Sequence, residues 1–255
     1  MIRQIFLTAL LTGVLAGFVL TSLQSVKVIP LILAAEEFEG GEIATYGSHD
    51  SSHQETKADH HNGEIVTAHG HENEAEATNG HSHDDEAWGP ADGYERLFFT
   101  FVANVFLATG WSFLLCAVYM NVKDINVVKG ITAGIVGYLT FFALPSIGLS
   151  PELPGTLAAA LEHRQAWWIA TVLCSAIGFT VLFFSRNRAY QLLAFALVLL
   201  PHIIGAPVPD VHGGTAPEVM FDSYVNATFI TNGIFWVILG AISVTLFKKF
   251  QPQEA

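Results

Sequence analysis

Six apolar runs of near-membrane length constrain this chain more than anything else in it. A helix needs about 20 mostly apolar residues to cross a hydrocarbon layer ~30 Å thick. The runs cover 5–33, 97–120, 127–149, 166–184, 190–206 and 228–247, the fifth being the shortest. Backbone groups at that depth find no water, so each run must be helical. The expected fold is an all-α polytopic membrane protein, a bundle of six transmembrane helices in three helical hairpins. Five spans would remain if the first were cleaved or the fifth did not cross. Arg3 and the segment Leu33-Ala34-Ala35 resemble parts of a signal peptide. The first run is longer than the 7–15 apolar residues of such a peptide, however, so a retained span is expected. The expected organisation is therefore a first span (1–33), an acidic His-rich loop, largely disordered (34–96), a helical bundle (97–247) and a short tail (248–255).

Charge sharpens this division. Only 13% of the residues are charged, about half the ~25% usual in soluble proteins. Residues 36–95 hold sixteen Asp/Glu against one Lys, a net −15, so the remainder carries +3 of the overall −12. A net-negative chain without a basic cluster is a poor nucleic-acid binder. Cys116 and Cys174 stand alone in apolar runs, which excludes a disulfide framework or a CxxC site. The chain contains no phosphate-binding glycine motif, so ATP hydrolysis is not expected of it. It also lacks HExxH and GxSxG and has a single histidine within a span, which argues against an intramembrane enzyme.

The flanking cations set an orientation. Arg3, Lys123, Lys129, Arg186, Arg188, Lys248 and Lys249 fall on one side, against Lys57, Arg96 and Arg164 on the other. Lys27 lies near the end of the first span, where it can snorkel. By the positive-inside rule both termini are cytoplasmic and the His-rich loop lies on the outer face.

All eleven histidines then lie on or near the outer face. Eight are in the acidic insert: His49, His53, His60, His61, His69, His71, His81 and His83. His69-Gly70-His71-Glu72 and His81-Ser82-His83-Asp84 each place an H-x-H pair directly before acids. Neutral imidazole suits Co, Ni, Cu and Zn, and carboxylates add affinity and neutralise charge. The segment offers little to pack, so it reads as a flexible trap for a transition metal. A solvated acidic linker is the plainer alternative.

The outward-running spans share an ending. Ile29-Pro30-Leu31 precedes Glu36-Glu37, Leu144-Pro145-Ser146-Ile147 precedes Glu152, and Leu200-Pro201-His202-Ile203 precedes Asp210. Proline removes one helical hydrogen bond, here freeing the carbonyls of Val26, Phe141 and Leu197. Irregular backbone at membrane depth is tolerated where it lines a cavity. The candidate vestibule comprises Glu36, Glu37, Glu152, His163, His202, Asp210 and His212. Proline is also common in membrane helices for structural reasons alone. Asn104, Asn226 and Asn232 either complete a pathway or join helices. Trp167 and Trp168 read as aromatic-belt anchors.

Six ordered blocks carry a family resemblance. They are Pro30-Leu31-Ile32-Leu33-Ala34-Ala35-Glu36, Glu86-Ala87-Trp88-Gly89-Pro90-Ala91-Asp92-Gly93-Tyr94-Glu95-Arg96, Gly148-Leu149-Ser150-Pro151-Glu152-Leu153-Pro154-Gly155, Arg164-Gln165-Ala166-Trp167-Trp168, Pro201-His202-Ile203-Ile204-Gly205-Ala206-Pro207 and Asn232-Gly233-Ile234-Phe235-Trp236. The chain resembles the CbtA family of predicted cobalt transporter subunits. The resemblance implies an inner-membrane protein that serves cobalt supply for cobalamin synthesis. It also implies a small one-span CbtB partner, and the family is usually described with five spans. It carries over no catalytic residues. The expected function is uptake of a divalent transition metal, cobalt foremost, with nickel or zinc possible. Co²⁺ is then a substrate ion and no cofactor is expected. A metal-binding accessory or sensor subunit is the alternative.

Overall fold

The computed structural model describes residues 2–47, 89–211 and 213–251, the side chains of 40–47 excepted. Its elements are α1 (Ile2–Lys27), α2 (Ile29–Gly47), α3 (Tyr94–Tyr119), α4 (Val127–Tyr138), a π turn (Leu139–Ala143), α5 (Leu144–Gly148), α6 (Leu161–Phe184), α7 (Arg188–Ile204) and α8 (Glu218–Lys249). Five helical stretches are long and apolar enough to cross a membrane: Ile2–Lys27, Tyr94–Tyr119, Val127–Gly148, Leu161–Phe184 and Glu218–Lys249. The 17-residue α7 is shorter. At 1.5 Å per residue it spans about 25 Å, less than the hydrocarbon thickness. The fifth of the six spans expected from the sequence is thus a helix below full crossing length.

Small residues bring α1 against α3. Thr8, Ala9, Thr12, Gly13, Ala16, Gly17, Leu20 and Thr21 recur on one face of α1, and all are buried. A Cβ on Gly17 would lie 2.8 Å from the Val105 backbone, so the two helices meet main chain to main chain. Such small-residue contacts substitute for hydrophobic burial, which gives no drive inside a lipid phase. Asn104 locks the pair: its amide donates to Thr21 Oγ1 at 3.0 Å and to Gln24 Oε1 at 2.6 Å. Of the two roles open to Asn104, the structure shows helix joining. Asn232 donates to Thr228 O within its own helix at 2.9 Å, and Asn226 is exposed.

The same device joins α4 to α8. A Cβ on Gly134 would meet Trp236 O, and one on Gly240 would meet Gly130 O. The core fills the space among α1, α3, α4 and α8 with Leu20, Leu115, Tyr119, Phe235, Trp236 and Leu239. The Trp111, Phe141 and Trp236 rings cluster beside it, the first two with centroids 4.5 Å apart. Gln4 Nε2 donates to Phe250 O, which ties both ends of the described chain to one end of the bundle. The opposite end, here the loop end, carries α2, the 149–160 segment and the 205–217 segment.

α6 and α7 form a separate antiparallel hairpin. Asn187 caps α7 by accepting from Ala189 N–H at 2.9 Å. Gly178 of α6 fits against Val198 and the Ala194 carbonyl of α7. The hairpin meets the four-helix body through the π turn and α5.

Two expectations about helix ends change. The helix after Pro30 continues to Gly47, past the expected boundary at residue 33. Ala34, Ala35, Glu36 and Glu37 are good helix formers, and an ion pair described below anchors them. The helix thus occupies residues 34–47 of the stretch that the sequence assigns to the loop. The irregularity near Pro145 takes a definite form: the Leu144 N–H bonds to Leu139 O, one residue further back than in an α-helix. That π register lets the chain meet a proline, which has no N–H to donate, without breaking.

Candidate functional site

The loop end holds two arginine–carboxylate pairs. Arg96, near the start of α3, engages Glu36 of α2 through both terminal nitrogens, Nη1 to Oε2 at 3.0 Å and Nη2 to Oε1 at 2.5 Å. Arg96 Nη1 also donates to Asp92 at 2.9 Å. This two-pronged grip is the geometry that a planar guanidinium supplies best. It fixes α2 to α3 across sixty positions of sequence. Arg164, in the first turn of α6, donates from Nη2 to Glu152 Oε2 at 2.7 Å. Both side chains of this second pair are about 30% exposed, so the Coulomb gain is partly screened.

The expected vestibule residues are distributed rather than gathered. Glu36 and Glu152 are held by these arginines, whereas Glu37, His163 and Asp210 are exposed. His202 is half-buried, its ring edge-on to Trp167 with centroids 5.7 Å apart. Its Nε2 is buried and has no hydrogen-bond partner among the described residues. His212 and the loop candidates His49, His53, His60, His61, His69, His71, His81 and His83 lie outside the described residues. Among the described residues, no three His, Cys, Asp or Glu side chains come together as a metal site.

Trp167 departs from the belt reading. It is 9% exposed, and its indole N–H donates to Pro201 O at 3.3 Å. The neighbouring Trp168 is 39% exposed, as an outward anchor requires.

A cavity of about 680 Å³ opens between the 149–160 and 205–217 segments. Glu152, Arg164, Thr156, Pro207, Glu218 and Phe221 are among its lining residues. An isolated antiparallel bridge between Thr156 and Gly214 fastens the two segments, with Leu157 N–H donating to Gly213 O at 3.0 Å. Gly155 turns there at φ 74°, a left-handed conformation that suits glycine. In the sequence Arg96 and Arg164 stand out only as orientation markers, with no sign of their pairing with Glu36 and Glu152. Each does sit within a few residues of an outer carboxylate, Asp92 or Glu162. That proximity was the available signal of an electrostatic role.

Comparison with protein families matches residues 2–248 to the family described as "Probable cobalt transporter subunit (CbtA)". Searches of curated proteins and of solved structures found no match. The family match runs through both the helical body and the hairpin, nearly the whole chain, and the five long apolar helices fit a multi-pass membrane protein: the chain belongs to the CbtA family, described as probable cobalt transporter subunits.

Proposed function

We propose that this chain is the membrane subunit of a cobalt uptake system, admitting Co²⁺ from the periplasmic face of a bacterial inner membrane. The carrying observation is the family match over residues 2–248. In this reading both termini are cytoplasmic and the loop end is periplasmic, in keeping with the cation distribution. The histidine and acid tract between 49 and 83 collects metal and raises its concentration at the loop end. Glu36, Glu37, Glu152, His163, His202, Asp210 and His212 supply stepping points, and the cobalt serves cobalamin synthesis. A one-span CbtB-type partner completes the system, in keeping with the word "subunit" in the family description.

The driving force need not come from ATP. A charge crossing 100 mV gains about 2.3 kcal/mol, so a dication gains about 4.6 kcal/mol. At about 1.4 kcal/mol per decade that sustains a gradient of roughly 2,000-fold.

The arrangement of the carboxylates favours a second reading. With Glu36 and Glu152 held by arginines, and no three metal-binding side chains together among the described residues, the chain also suits a metal-presenting accessory to a separate pore. Purified chain in liposomes, with an imposed inside-negative potential and Co²⁺, Ni²⁺ and Zn²⁺ in competition, decides between them. Potential-driven Co²⁺ entry is expected for a permease. Binding without entry would overturn that role and leave the accessory one.

A further inference from the structure

The cavity between the 149–160 and 205–217 segments is too large and too mixed in charge for a bare cation. A hexahydrated metal ion occupies roughly 180 Å³, taking about 30 Å³ per water, against about 680 Å³ here. Small-molecule pockets typically enclose about 300–1,000 Å³. The lining also carries both signs. Glu152 and Arg164 neutralise one another, and Glu218 stands exposed in the first turn of α8. A site made for a naked dication has no use for a guanidinium, which repels it.

Arg164 is also incompletely used. Its bond to Glu152 comes from Nη2, while Nε is buried with no hydrogen-bond partner among the described residues. Nε–H and one terminal N–H form the edge that takes a carboxylate in two parallel hydrogen bonds. The guanidinium therefore gains hydrogen bonds by turning toward a carboxylate in the cavity. With the pair about 30% exposed, such a turn does not require the fold to open.

We propose that this cavity receives the metal as a small amino-carboxylate chelate, such as a Co²⁺–histidine complex, rather than as the aqua ion. In such a chelate one carboxylate oxygen coordinates the metal, and the other is free to accept from Arg164. The coordinated amine keeps N–H groups that can donate to Glu218. The apolar wall, Leu153, Leu157, Pro207 and Phe221, covers the rest of the ligand. This inference deepens the uptake reading and rests on it for the identity of the metal.

The test is retention of radiolabelled histidine by the purified full-length chain in nanodiscs, with and without Co²⁺. Label should be retained only when Co²⁺ is present. Arg164→Gln should lower retention at least tenfold, and Glu218→Gln at least threefold. Glu218 is exposed, so its variant keeps the test valid if Arg164→Gln does not fold. The histidine tract could hold a mixed complex of its own, but that signal would be the same in both variants. No Co²⁺-dependent retention, or retention in both variants equal to that of the unmutated chain, overturns the proposal. Entry of Co²⁺ into liposomes, alone and with histidine, is measured in parallel. If the aqua ion enters while the chelate fails to bind, only this inference falls; if neither enters, the permease role falls with it.

Discussion

The carbonyl of Pro201 accepts two hydrogen bonds, from Gly205 N–H at 3.0 Å and from the Trp167 indole at 3.3 Å. The second ties the proline-bent end of α7 to α6 and leaves His202 packed against the same indole. His202 thus presents a buried ring nitrogen without a partner at the place where the hairpin is pinned. An unpaired buried polar atom costs about 1–3 kcal/mol. His202→Phe keeps the ring contact and removes that atom, so thermal unfolding in detergent should show a stability gain of about 1 kcal/mol. If His202 handles cargo, Co²⁺ entry should fall at least tenfold in the same protein. Unchanged entry would remove it from the pathway.

The glycine seam between α4 and α8 gives a sharper stability contrast. A side chain on Gly240 meets the Gly130 backbone, which cannot rotate away, whereas Gly110 has open space around it. Gly240→Val should cost more than the about 1–3 kcal/mol typical of overpacking and give aggregated or dissociated protein on size exclusion. Gly110→Ala should be neutral or stabilising by about 0.5–1 kcal/mol, since alanine restricts the unfolded chain and favours helix.

Asn104 joins α1 to α3 through two side-chain hydrogen bonds. Interhelical hydrogen bonds in membranes average about 0.6 kcal/mol and reach about 1.7. Asn104→Leu should therefore lower stability by about 1 kcal/mol in a denaturant titration, with Co²⁺ entry intact. A loss of entry at full stability would instead put Asn104 in the pathway.

For Arg96 and Glu36 the informative measurement is a double-mutant cycle. Arg96→Gln and Glu36→Gln, singly and together, should give a coupling of about 1 kcal/mol. That is the upper end for exposed pairs, reached because both terminal nitrogens of Arg96 engage one carboxylate. The coupling should shrink in high salt. A coupling near zero would mean that α2 is held by its packing alone.

How much of this was legible depends on whether the cause is local. The long helices were, because apolar length is written continuously along the chain. So was the disturbance near Pro145, because a missing N–H is a property of one residue. Its resolution into a π turn over Leu139–Ala143 depends on packing of Phe141 against Trp111 and Trp236, which no local pattern contains. The pairing of Glu36 with Arg96 joins residues sixty apart, and the sequence showed only that both charges face the same side. Trp167 had the composition of a belt residue, but its burial is set by Pro201 on another helix. The candidate vestibule was a list of residue types in the sequence, and its described members do not gather into one cluster.

Deleting residues 49–83 separates collection from passage. The truncated chain should need several-fold more Co²⁺ for half-maximal entry while keeping its maximal rate. A fall in maximal rate with unchanged half-saturation would mean that the tract belongs to the pathway itself.

The glycine contacts that set α1 on α3 and α4 on α8 also have a mechanical meaning. Helices in backbone contact have no compliant layer of side chains between them, so those four have little freedom to slide past one another. The α6/α7 pair bears on them through a short articulation at the π turn and α5. The 149–160 and 205–217 segments flank that pair at the loop end. A rocking α6/α7 pair would therefore carry the cavity walls with it, making the irregular turn a fulcrum and the cavity its load.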